Sequence, residues 1–127
     1  MLKYLLLWFP MLLLAILNGA FRERAIVPRT SPGVAHRIST LTLLLLFAAY
    51  FYVLVRTVPP GSGKQALQAG LMWLLLTLAF EFGFGRYRGL SYEQMLSEYN
   101  ILAGKWWVLV PIFVTVGFWA MNNLLYG

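Results

Sequence analysis

Cysteine is absent from all 127 residues. No disulfide, thiolate nucleophile or cysteine-based metal site is therefore available, and the redox compartment is left open. Histidine occurs once, at His36. A lone imidazole with scattered carboxylates such as Glu23 and Glu81 supplies no recognisable metal or haem ligand set. Neither a metal nor another cofactor is expected. Charge is scarce too. Only 11% of the residues are Asp, Glu, Lys or Arg, against about 25% in a soluble domain. So few charges cannot cover a water-facing surface for a chain of this length.

Hydrocarbon takes their place, at 61% of the sequence. The apolar residues collect into runs at about 2–19, 38–58, 67–85 and 106–125. Each is close to the ~20 residues that cross the hydrocarbon core of a bilayer as a helix. The expected fold is all-α: an integral membrane four-helix bundle forming a single domain over 1–127. Pro10 sits within the first run and should kink it. A cleaved signal peptide fits that run poorly, because basic residues follow it (Arg22, Arg24, Arg29) and Asn18-Gly19-Ala20 makes a weak cleavage site. Ser31-Pro32 reads as an N-cap with proline in the first helical position. The second helix then starts in the loop, with His36 and Arg37 on its first turns. Pro59-Pro60-Gly61 ends it.

Between the third and fourth runs, Tyr92, Met95, Leu96, Tyr99, Leu102 and Ala103 recur at helical spacing. Glu93, Gln94, Ser97 and Glu98 take the other face. Ser91 with Gln94 forms a capping box, and Gly104 is a stop signal. The segment 91–103 is expected to be a short interfacial amphipathic helix.

The net charge of +6 suggests nucleic acid in a soluble protein. Here the basic residues fall in loops, where they set orientation and meet anionic lipid headgroups, and no nucleic-acid partner is expected. Arg22, Arg24, Arg29, Arg37, Arg86, Arg88 and Lys105 lie on one side. Lys3, Arg56 and Lys64 lie on the other. This asymmetry places the two larger loops in the cytoplasm and both termini outside. Tyr50, Tyr52, Trp119 and Tyr126 then belong to the outer aromatic belt. Tyr87, Tyr92, Trp106 and Trp107 belong to the inner one.

Two glycine-rich stretches are weak motifs. Gly61-Ser62-Gly63-Lys64 lacks the spacing and the preceding strand of a phosphate loop, and reads as a flexible turn. Gly83-Phe84-Gly85 with Gly89 lacks the strand–turn–helix setting of a dinucleotide site.

Glu81 is the most informative residue. A carboxylate inside a span costs at least ~2 kcal/mol unless it is paired, protonated or wetted. Gly70, Trp73, Thr77 and Glu81 share one helix face, which should look into the bundle or at a partner subunit. Asn18, Arg22, Glu23, His36, Arg37, Tyr99 and Asn100 are expected at the same membrane depth. Two readings of this cluster stand side by side. In one it is a structural staple, with Glu81 paired to Arg22 in first place, or to Arg37 or Arg86. In the other it is a polar pocket open to the cytoplasm that binds an anion, a lipid headgroup or a proton.

Asn18-Gly19-Ala20-Phe21-Arg22-Glu23, Phe80-Glu81-Phe82-Gly83-Phe84-Gly85 and Tyr99-Asn100 with Gly104 resemble a group of small four-span bacterial inner-membrane proteins of unknown function. The resemblance covers most of the chain. It implies a bacterial inner-membrane location and no activity. The leading expectation is binding or transport of a small anionic or protonatable ligand through the cytoplasm-side polar cluster. Transport would need an oligomer, for which Ala15-x-x-x-Gly19 and Ala66-x-x-x-Gly70 offer close-packing faces. The alternative is a non-catalytic accessory or scaffold subunit of a membrane complex. An enzyme is the weaker reading, since Glu81, His36 and Tyr99 could exchange protons but no nucleophile accompanies them.

Overall fold

The structure, a computed structural model, describes residues 2–97 and 106–126. It is all-helical, with no strand among the described residues. Helix α1 is Leu2–Phe21, α2 is Pro32–Thr57, α3 is Gly63–Tyr87, α4 is Tyr92–Ser97 and α5 is Leu109–Tyr126. Segments α1, α2, α3 and α5 are each long and apolar enough to cross a membrane.

Local chemistry sets the helix ends. Pro10 lies inside α1 without ending it. Beyond Phe21 the helix loosens into a π-turn, Arg22–Ile26, then tightens into a 3-10 turn, Val27–Arg29. Pro28 has no N–H to give to the carbonyl a turn earlier, and it stands in the 3-10 turn after the regular helix has given way. Helix α2 starts where Ser31 Oγ accepts the Val34 N–H at 3.3 Å. Helix α3 starts in the same way, with Ser62 Oγ accepting from Gln65 N at 3.1 Å. Gln65 Oε1 in turn accepts the Gly61 N–H. The Gly61–Lys64 stretch is thus a reciprocal cap in place of the loose turn expected there.

On α2, Ala35, Ser39, Leu43, Phe47, Phe51 and Val55 are buried at intervals of four, which makes one continuous inward stripe. On α5 the buried residues are Val110, Pro111, Val114, Gly117 and Phe118. The four long helices form a ring in the order α1, α2, α5, α3, with α3 closing back on α1. The α3–α5 seam is the most extensive. Ala66, Ala69 and Gly70 are buried there, and a methyl group on Gly70 would overlap the Thr115 backbone carbonyl. The Ala66–Gly70 face, expected to join two copies of the chain, is therefore consumed within one copy.

Consecutive helices α2 and α3 stand on a diagonal, with no Cα–Cα approach within 8 Å among the described residues. Side chains fill the space between them. Phe51 stacks on Trp73 at 5.6 Å between ring centroids, and Phe118 and Tyr4 pack around that pair. Polar bonds pin the first half of α1 to its neighbours. Trp8 Nε1 donates to Thr77 Oγ1 at 3.1 Å, Trp73 Nε1 to the Tyr4 carbonyl at 2.7 Å, and Tyr50 OH to the Leu7 carbonyl at 2.6 Å. Tyr50, expected in the outer aromatic belt, thus spends its hydroxyl on an internal bond.

Candidate functional site

The seam between α1 and α3 is thin. A cleft of about 910 Å³ opens there, near the upper end of the ~300–1,000 Å³ typical of ligand pockets. Small residues on α1, namely Ala15, Gly19 and Ala20, line it. The Ala15–Gly19 face thus borders this space. The cleft has an apolar floor made by Leu43 and Phe47 of α2 and Val110 of α5, all buried. Ile16 and Phe84 also line it, yet each is 48% exposed. The cleft therefore opens sideways, onto the outer surface of the helix ring.

Polar groups collect at one end. Arg22, Glu23, His36, Glu81, Arg88, Gln94 and Ser97 line the cleft there. Apart from Arg88, at the end of α3, they fall into two nodes and the short helix α4, which acts as a lid. The first node joins α1 to α2. Ser39, fully buried, donates to Asn18 Oδ1. Arg22 Nη1 donates to Ser39 Oγ at 3.3 Å, and Arg22 Nε forms an ion pair with Glu23 at 3.1 Å. Arg22 is thus committed to Glu23 and Ser39, and the expected Arg22–Glu81 pair is replaced. Asn18 lies one turn before Arg22 on α1, so both reach the same hydroxyl across the helix seam.

The second node joins α2, α3 and the entry to α5. Trp107 Nε1 donates to Glu81 Oε1 at 2.9 Å. The indole ring also stacks on His36, at 5.1 Å between centroids and 22° between planes. Trp107 and Trp106 precede α5 instead of opening it. Trp107, expected at the inner aromatic belt, sits inside the bundle's polar end. Trp106 takes the Arg37 guanidinium over its ring at 5.5 Å. Arg86, the third partner considered for Glu81, donates to the Leu90 carbonyl at 3.1 Å and lies over Tyr92. The inward face expected of Gly70, Trp73, Thr77 and Glu81 is seen directly: the first two are buried, and the other two accept indole N–H groups from Trp8 and Trp107.

The lid is α4. The expected capping box is present, with Ser91 N donating to Gln94 Oε1 at 2.7 Å and Gln94 N to Ser91 Oγ at 3.1 Å. Gly89 turns the chain back with φ +86°, a region that favours glycine. Met95 is the buried residue of α4, and it rests where a Gly85 side chain would stand. Tyr92 and Leu96, on the expected apolar face, are exposed. Tyr99, Asn100, Leu102 and Ala103 lie outside the described residues.

The chain matches no family model, no curated protein and no solved structure. Function must therefore be argued from the cleft itself. Among the described residues, no group of three or more His, Asp or Glu side chains could hold a metal ion. Sequence reasoning missed Ser39 and the Trp107–Glu81 bond. Ser39 carried a usable signal: with Ala35, Leu43 and Phe47 it falls on the apolar i, i+4 stripe, where a hydroxyl has to find a partner.

Proposed function

We propose that the protein spans a membrane and binds one amphiphilic molecule in the cleft between α1 and α3, tail along the apolar floor and headgroup at the polar end. The observation that carries this reading is the shape and polarity of the cleft. It runs from Trp8 on α1 to Glu23 in the π-turn that follows it, a rise of about 22 Å. A bilayer with its headgroups is about 40–45 Å thick, so this length corresponds to one leaflet. The cleft is apolar at mid-membrane depth and polar at the helix ends, the order of groups in a leaflet lipid. Its sideways opening suits a ligand that arrives from the bilayer. One copy of the chain suffices, so binding needs no oligomer.

The polar end is placed in the cytoplasm, and the membrane is taken to be a bacterial inner membrane. Arg22, Arg24, Arg29, Arg37, Arg86 and Arg88 gather at that end, against Lys3, Arg56 and Lys64 at the other. A reporter enzyme that works only in the periplasm, fused after Gly127, should be active. A fusion active only in the cytoplasm would reverse the orientation.

The cleft is tested by filling it. Ala15→Trp should abolish lipid retention in native mass spectrometry of the purified protein, while wild type keeps about one lipid per chain. Equal retention by both would overturn the reading. A scaffold role is the second reading. The two polar nodes favour it, because each links helices as a staple would. It predicts that Ala15→Trp leaves all measured properties unchanged apart from stability.

A further inference from the structure

We infer that the bound amphiphile carries an anionic headgroup and that Arg88 is the residue that reads its charge. This rests on the cleft reading above. The charged residues lining the described cleft are Arg22, Glu23, Glu81 and Arg88, formally balanced. They are not equally available. Glu23 is held by Arg22 at 3.1 Å, and Arg22 is further tied to Ser39. Glu81 accepts the Trp107 indole. Arg88 stands at the end of α3 with its guanidinium over the Phe84 ring at 5.6 Å. Among the described residues it forms no ion pair. Phe84 itself lines the cleft, so the ring that holds the guanidinium sets it at the junction of apolar wall and polar end. That is where a leaflet lipid presents its phosphate. A guanidinium offers paired donors that match phosphate oxygens. Gln94, on α4 across the same end, adds a neutral donor.

Arg88 also caps the C-terminal end of α3, where a cation offsets the partial negative charge of the last carbonyls. The test has to separate that role from headgroup recognition. Protein in nanodiscs of equal phosphatidylglycerol and phosphatidylcholine is released and weighed by native mass spectrometry. Wild type should retain phosphatidylglycerol about tenfold over phosphatidylcholine, the scale of one charge-assisted contact. Arg88→Gln should bring that ratio close to one while total retained lipid stays near wild type. Arg88→Lys should restore part of the preference. Arg24→Gln, at the same end of the molecule but outside the cleft, should leave it intact. Inorganic phosphate at millimolar concentration should not displace the lipid. Five outcomes overturn the assignment: no preference in wild type, a preference that survives Arg88→Gln, no recovery in Arg88→Lys, loss in Arg24→Gln to the same degree, or displacement by free phosphate. Loss of all retained lipid in Ala15→Trp with no headgroup preference in wild type would leave the cleft standing and remove the anion. Full retention in Ala15→Trp would remove the cleft itself.

Discussion

Replacing Trp107 by Phe keeps a ring against His36 but removes the N–H that Glu81 accepts. A hydrogen bond to a charged acceptor is worth about 1.5–3 kcal/mol, and Trp107→Phe should lower stability in detergent by that order. Glu81→Gln keeps an acceptor for the indole and should preserve that bond. A thermal-melting series on both variants and the double variant checks this, since the two effects should be strongly non-additive. Glu81 was legible as a residue in need of a partner, because a carboxylate within an apolar run demands one. Its described partner was not legible. A tryptophan next to a helix end has two good uses, an interfacial belt or an internal donor, and only three-dimensional placement decides between them. The same holds for Arg22. Spacing along α1 puts it near Asn18, but the buried Ser39 hydroxyl on α2 draws both of them away from Glu81.

Among the elements, three glycines of α3 should respond differently to alanine. Gly70→Ala drives a methyl into the Thr115 carbonyl, and backbone cannot step aside as a side chain would. The α3–α5 seam must open, at a cost of about 1–3 kcal/mol or more. A methyl group on Gly83 would meet no atom within 4 Å, so Gly83→Ala should be neutral or stabilise by up to about 1 kcal/mol through helix propensity. Gly85→Ala should leave the bundle folded and dislodge Met95, loosening α4. The lack of native cysteine makes the check clean: a spin label on Ser97→Cys should gain mobility in the Gly85→Ala background, and unchanged mobility would contradict the docking of α4 on Gly85. The long helices were legible because their apolar runs and the Ser-Pro signal of α2 are local, although the Ser62–Gln65 cap of α3 was read as a flexible turn. The π-turn after α1 was not. It depends on how Pro28 and the α2 seam share the chain between them.

For the whole molecule, composition makes four long apolar helices nearly unavoidable, but it does not set their order around the ring. That order creates the cleft. Helix α1 meets α3 over a much smaller seam than α5 does. Filling the opening should therefore stabilise the protein while emptying it of lipid. Ala15→Trp should melt at or above the wild-type temperature once both are stripped of lipid, and a lower melting temperature would show that the opening is not spare space. The diagonal placement of α2 and α3 has a consequence for biogenesis. Helices enter the bilayer in chain order, and a newly inserted pair usually packs on arrival. On the membrane-spanning reading proposed above, α3 would reach the bilayer with no backbone seat on α2, while the surface it uses most belongs to α5, which is made after it. Before α5 follows, α1 would be the backbone neighbour available to α3, and its small-residue face would stay open. The eighteen-residue α5 would then complete the ring, and a nascent chain stalled before it would leave the small-residue face of α3 uncovered.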